Sequence, residues 1–188
     1  MVKIKKTKLT RVSQGDIYKD IDFVEYILEK DGIVEFSRIT FPYVVVLTQD
    51  CELQQDYAYR KGQSDRFLQN KMLLSVLVAP LYNAEHLFNG EHLSELDIQT
   101  TKIKKTGTEG KFILANTRPR YHYLDFPENV PIAKSVIDFK HYFSVNVEYL
   151  RKEKSKNFVC KISELYRESL SQRFANYLSR IGLPDNNH

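Results

Sequence analysis

The chain lacks tryptophan and has only two cysteines, seven glycines and six prolines in 188 residues. Cys51 and Cys160 stand too far apart to read as a disulfide framework or a metal-ligand spacing. With no Pro- or Gly-rich tract, repeat or low-complexity segment, nothing marks an internal boundary, and the length suits a single domain over residues 1–188. No apolar run reaches the ~18 residues of a membrane span. The opening MVKIKKTKLTR is basic but has neither the apolar stretch nor the cleavage site of a secretory signal. The P-loop, the dinucleotide fingerprint, the nucleophile elbow and HExxH are all missing. His86 and His92 fall in helical sequence six residues apart, which does not put them on one face, so no zinc site is expected. These absences lead to the expectation of a soluble cytoplasmic protein with no membrane association, no metal and no cofactor.

What the chain does have is rings and strand formers. Twelve tyrosines and eleven phenylalanines supply packing area that a disordered chain would not carry. Apolar and polar residues alternate from Ile17 to Glu29, with a break expected near Asp20, and again from Ile33 to Thr40. Asp31-Gly32 between the two runs signals a hairpin. Pro42 interrupts, and Tyr43–Leu47 then reads as a strand buried on both faces, as does Met72–Tyr82. Leu53–Asn70 reads as a loop with at most a short helix. Asn83 is a helix cap, Gly90 separates that helix from a second piece near His92–Ile98, and 105–117 fits either element type. Strands are expected again at 121–124, 135–139, 143–149 and 158–160. Ser163 then caps an amphipathic helix to Ile181, with Tyr166, Leu170, Phe174 and Tyr177 on its apolar stripe and Arg167, Arg173 and Arg180 on its solvated side. The expected fold is mainly β with helices (α+β): a small curled barrel of antiparallel strands over about 14–160, with inserted helices and a C-terminal amphipathic helix.

Gly15-Asp16-Ile17-Tyr18, the hairpin, Pro42-Tyr43-Val44-Val45-Val46-Leu47-Thr48 and Val76–Tyr82 resemble the PemK/MazF-like toxins. The resemblance covers 14–48 and 72–82, under a third of the chain. It implies an SH3-like barrel and, for the family, metal-independent cleavage of single-stranded RNA by proteins that are typically dimeric. The family's arginine before the proline is Phe41 here, and its threonine or serine after the second strand's proline corresponds to Leu81 or Tyr82. Cleavage through the 2′-hydroxyl needs a base, an acid and a cation beside the phosphate, and Phe41 supplies none of these.

Net charge is +4, with basic clusters at Lys3, Lys5, Lys6, Lys8 and Arg11 and at Lys102, Lys104, Lys105 and Lys111. Such clusters either neutralise phosphates or are merely solvated. Arg118-Pro119-Arg120-Tyr121-His122-Tyr123 would put Arg120 and His122 on one strand face with tyrosines on the other, the residue types of a single-strand phosphate site. Thr48-Gln49-Asp50-Cys51-Glu52 follows a buried strand. Cys51 would be a nucleophile only if His122 or His141 reached it, and its neighbours Asp50 and Glu52 oppose a thiolate. The expected binding residues are therefore Arg118, Arg120, His122, Lys102, Lys104 and Lys105, and the catalytic candidates are Asp50, Cys51, His122 and His141. Three functions are carried forward: a toxin-like or defence-associated barrel handling single-stranded nucleic acid, paired with an antitoxin; a catalytically inactive barrel serving as a protein-interaction module; and a Cys51-dependent enzyme. A homodimer fits the first two.

Overall fold

The computed structural model describes residues 1–6, 10–62 and 69–180. In chain order the elements are β1 (Ile4–Lys5), β2 (Asp16–Lys30), β3 (Ile33–Val46), α1 (Asp50–Arg60), β4 (Ser75–Pro80), β5 (Tyr82–Asn83), α2 (Ala84–Asn89), α3 (Thr108–Leu114), β6 (Tyr121–Leu124), β7 (Ser135–Asp138), β8 (Phe143–Asn146), α4 (Val147–Asn157), β9 (Phe158–Ile162) and α5 (Glu164–Leu178). Single 3₁₀ turns lie at Gln69–Lys71, Ser94–Leu96 and Phe139–His141. The pairing is antiparallel throughout, in a six-stranded sheet of order β1-β9-β2-β3-β4-β8 and a three-stranded sheet of order β5-β7-β6. The fold is α+β, and no helix of the described residues is long and apolar enough to cross a membrane.

The valine run behaves as its composition demands. Val44 and Val46 pack on one side of the sheet with Tyr18, Ile21, Val78, Leu53 of α1 and Leu150 of α4. Val45 points the other way, onto Ile17, Leu81, Ile137, Phe139 and the α5 residues Leu170 and Phe174. Alternation of side chains along a strand buried on both faces produces these two cores. A third cluster seats α2 and α3 on β7 through Leu87, Phe88, Ile113 and Val136.

Several local expectations change. β2 is one strand, because Asp20 absorbs a φ of 52° as a kink and not a break. Asp31 and Gly32 both take positive φ, as a two-residue type I′ hairpin turn requires. Pro42 lies inside β3. Tyr43 accepts the Leu81 amide on the β4 side, so Pro42 faces β2, opposite the Asp20 kink where the ladder skips a pair and no partner waits for the missing amide. Asp50–Arg60 is a full helix and not a loop, and the expected strand 143–149 turns helical at Val147 because Asn146 caps α4 through the Glu148 and Tyr149 amides. The run Met72–Tyr82 changes sheet at Leu81, delivering Tyr82 to β5. α3 settles the ambiguous 105–117 stretch. α5 carries its stripe as expected, although Ile181 and the stop signals after it lie outside the described residues, as does Lys8. Its arginines are not simply solvated: Arg173 donates to the Arg118 and Tyr121 carbonyls at 2.8 and 2.7 Å and also to that of Asn116.

Candidate functional site: an Arg–Asp–His–Tyr cleft

The end of β7 organises the polar centre. Asp138 is fully buried where β7 passes into the 3₁₀ turn, and it accepts the Lys140 amide at 3.0 Å. Opposite it in the ladder is Tyr121, and the preceding residue, Arg120, turns its guanidinium onto the same carboxylate. Nε and Nη2 reach Asp138 Oδ1 and Oδ2 at 2.8 and 2.5 Å, a forked, charge-assisted pair that leaves Nη1 unspent. The hydrogen bonds to Asp138 raise the guanidinium pKa further, so Arg120 is a permanent cation with 38% of its side chain exposed.

Two imidazoles and a phenol complete the group. His141 Nδ1 lies 3.7 Å from Asp138 and 3.1 Å from the Tyr82 hydroxyl. The His92 ring packs edge-on against Tyr82 at 4.9 Å and lies 6.4 Å from that of His141. His92 comes from the loop after α2, which Gly90 starts with a φ of 77°; the loop is returned by Thr100 donating to the Gly90 carbonyl at 3.0 Å. Both ring nitrogens of His92 are buried and have no hydrogen-bond partner. Burial pushes His92 down to about 4 and lowers His141, so both are neutral near pH 7; burial also raises Tyr82, which stays protonated. His92 lines two cavities. One, of about 290 Å³, also has Arg120, Tyr121, Thr101 and Ile103 in its wall; the other, of about 320 Å³, adds Phe41, Tyr82 and His86.

The sequence-derived residues are distributed unevenly around this centre. Arg120 and His141 belong to it. Arg118 is exposed and paired with Glu109 at 2.9 Å, and Lys105 is paired with Glu85. Lys102 and Lys104 are exposed in the loop whose Thr101 and Ile103 wall the Arg120 cavity. His122 does not share an exposed face with Arg120. It is 4% exposed, packs on Phe139 and is pushed down to about 3 by burial and by Arg173, so it is a neutral core residue that cannot reach a phosphate at the surface. Asp50 is likewise committed elsewhere, in a fork with Arg11 at 3.0 and 2.8 Å and with the Gln14 amide. Cys51 is exposed on α1, and its thiol meets Gln49, not a histidine. His92, Asp138 and Tyr82 were not expected here. The sequence placed His92 in a second helical piece after Gly90, six residues from His86, and only the loop return brings it to β7.

His92, Asp138 and His141 place ligand atoms within 4.8 Å of one another, so the metal question reopens. The donors suit a divalent cation, but the Arg120 fork occupies both carboxylate oxygens and sets a positive charge against any dication. No family model, curated protein or solved structure matches this chain.

Proposed function

We propose that the protein binds single-stranded nucleic acid with a backbone phosphate on Arg120, and that its RNA chemistry is cleavage through the 2′-hydroxyl. The observation that carries this reading is His92: an imidazole with two buried, unpartnered nitrogens beside a permanent cation. Leaving such groups unpaired costs about 1–3 kcal/mol, which a ligand hydrogen bond would recover. Support comes from position as well. By the resemblance, Phe41 takes the place of the toxins' arginine and Leu81 or Tyr82 that of their threonine or serine; the Phe41 and Tyr82 rings lie 6.5 Å apart, with His92 and His141 against Tyr82. A toxin-like, SH3-like barrel is the scaffold in this proposal, with its cation supplied from the turn before β6.

Neutral His92 takes the 2′-hydroxyl proton and the 2′-oxygen attacks phosphorus. Arg120 offsets the charge that develops on the phosphate oxygens, and the 5′-oxygen leaves with a proton from water as the 2′,3′-cyclic phosphate forms. A base held near 4 stays competent across neutral pH, so activity should rise with pH to a plateau whose apparent pKa lies well below the ordinary 6.5. The test is a mixed RNA substrate and a matched DNA. The wild type should cleave RNA and bind both, with a log–log salt slope of roughly −0.7 per phosphate contacted. Arg120→Ala should flatten that slope by about one contact, and His92→Ala should stop cleavage while leaving binding. Absence of binding to either polymer at low salt refutes the reading.

One observation favours a second reading, a protein-interaction module. Beyond the sheet, β2 and β3 continue as a two-stranded ribbon on which Val24, Tyr26, Ile27, Leu28, Ile33, Val34 and Phe36 are each at least half exposed. An isolated two-stranded ribbon is at best marginally stable in water. At roughly 100 Å² each, those side chains approach the ~800 Å² per partner of a standard interface. Residues 24–37 are net acidic (Glu25, Glu29, Asp31 and Glu35 against Lys30) on an otherwise basic chain, so the occupant we propose is a second copy, acidic ribbon against basic body. Light scattering should give a dimer that Phe36→Glu dissociates; a monomeric wild type at micromolar concentration refutes it.

A further inference from the structure

His92 stands in the wall between two cavities of opposite character. The smaller one carries the Arg120 cation. The other, of about 320 Å³, lies between the foot of the β2–β3 ribbon, the end of β4 and the loop that holds His92. Its walls are mostly apolar, with Ile39, Phe41, Tyr43, Tyr82, Leu93 and Leu96 among them. No lysine or arginine lines it among the described residues, whereas two carboxylates, Glu91 and Glu95, do. Neither of these side chains has a hydrogen bond or ion pair among the described residues.

The rings of this cavity are fixed by contacts outside it. The Tyr43 hydroxyl donates to the Pro131 carbonyl at 2.6 Å, and the Tyr82 hydroxyl meets His141 Nδ1 at 3.1 Å. Phe41 stands edge-on to Tyr82 and packs on Phe143 at 5.3 Å between centroids. A preformed cavity of this size, with aromatic walls and a few polar groups, suits a small planar ligand. Ring faces stack any nucleobase, but an unpaired carboxylate accepts only from N–H donors and so selects among the bases.

We propose that this cavity holds the guanine of the nucleotide whose 3′-phosphate lies on Arg120. The proposal deepens the nucleic-acid reading and rests on it for the place of the phosphate. Guanine presents two adjacent donors, N1–H and N2–H, which one carboxylate accepts together. Adenine and cytosine set an acceptor beside their amino group, which repels the second carboxylate oxygen, and uracil has a single N–H between two carbonyls. The ribose then crosses the shared wall at His92, whose two buried nitrogens have no partner. That path brings the 2′-hydroxyl to the group that takes its proton. Carboxylates in one cavity and a guanidinium in the other fix the direction in which the nucleotide lies.

The test is calorimetric titration of the full chain with the four nucleoside 3′-monophosphates and the four nucleosides, beside cleavage-site mapping on a mixed RNA. Guanosine 3′-monophosphate should bind about tenfold or more tightly than the other three, and cuts should fall on the 3′ side of G. Glu91 and Glu95 are both exposed, so Glu91→Gln, Glu95→Gln and the double variant should fold as wild type. The variant at the carboxylate that meets the base, and the double variant, should lose the guanine preference. Arg120→Ala should weaken all four monophosphates and keep their order. Equal binding of the four, or cuts after every base, overturns the base pocket while leaving the Arg120 reading standing. So does a guanine preference that survives in the double variant. Selective binding of guanosine without binding of either polymer supports the base pocket and sinks the Arg120 reading instead.

Discussion

His122 provides a quantitative test of the packing between β6, the 3₁₀ turn and α5. Its ring is 4% exposed against Phe139, and burial together with Arg173 pushes it down to about 3. In the unfolded chain the same imidazole titrates near 6.5. Between those values the unfolded state binds a proton that the native state refuses. The stability this residue contributes is therefore fully present above about pH 6.5 and is lost as pH falls toward 3. At pH 4.5, two units below the unfolded value and still above the folded one, the loss is about 2–3 kcal/mol. His122→Phe keeps an aromatic ring against Phe139 and removes the titration. Urea unfolding at pH 7.0 and 4.5 isolates the effect, because carboxylates titrate alike in both proteins. The wild type should lose about 2–3 kcal/mol more than the variant on acidification. Equal losses, within ~0.5 kcal/mol, would mean that the imidazole is hydrated and that β6 does not pack against α5 as described.

Phe174, 7% exposed between Phe139 and Tyr142, should cost about 3–5 kcal/mol when truncated to Ala; under ~1 kcal/mol by urea titration would make α5 a loose appendage. A Cβ on Gly90 would sit 2.2 Å from the Thr100 carbonyl oxygen at a φ of 77°, so Gly90→Ala should lower stability by at least about 1–2 kcal/mol. It should also suppress any cleavage that depends on His92; an unchanged Tm argues against the loop return. Arg120→Ala should bind zinc more tightly than wild type, by calorimetry, because it frees the Asp138 oxygens and removes the opposing charge beside His92 and His141; equal affinity would show that Arg120 does not guard the trio.

Much of the scaffold is legible in the chain because its causes are local. The Asp31-Gly32 turn, the doubly buried valines, the Asn83 cap and the α5 stripe each depend on residues within one turn or one period, and each forms where expected. α1 and α4 escaped because their polar compositions hide few buried anchors, Leu53 in the one and Val147 and Leu150 in the other, whose burial depends on the far side of the sheet. The site was half legible. Arg120 and His141 stand out by residue type, but strand alternation from Arg120 to His122 misled, since Arg120 precedes β6 and swings to Asp138 while His122 turns into the core. Tyr82, His92 and Asp138 meet only through a sheet switch at Leu81, a loop returned by Gly90 and Thr100, and the β6–β7 register. Composition and periodicity determine which segments bury a face. Which distant polar groups share a cleft is decided by long-range pairing, whose contacts have no period in the sequence.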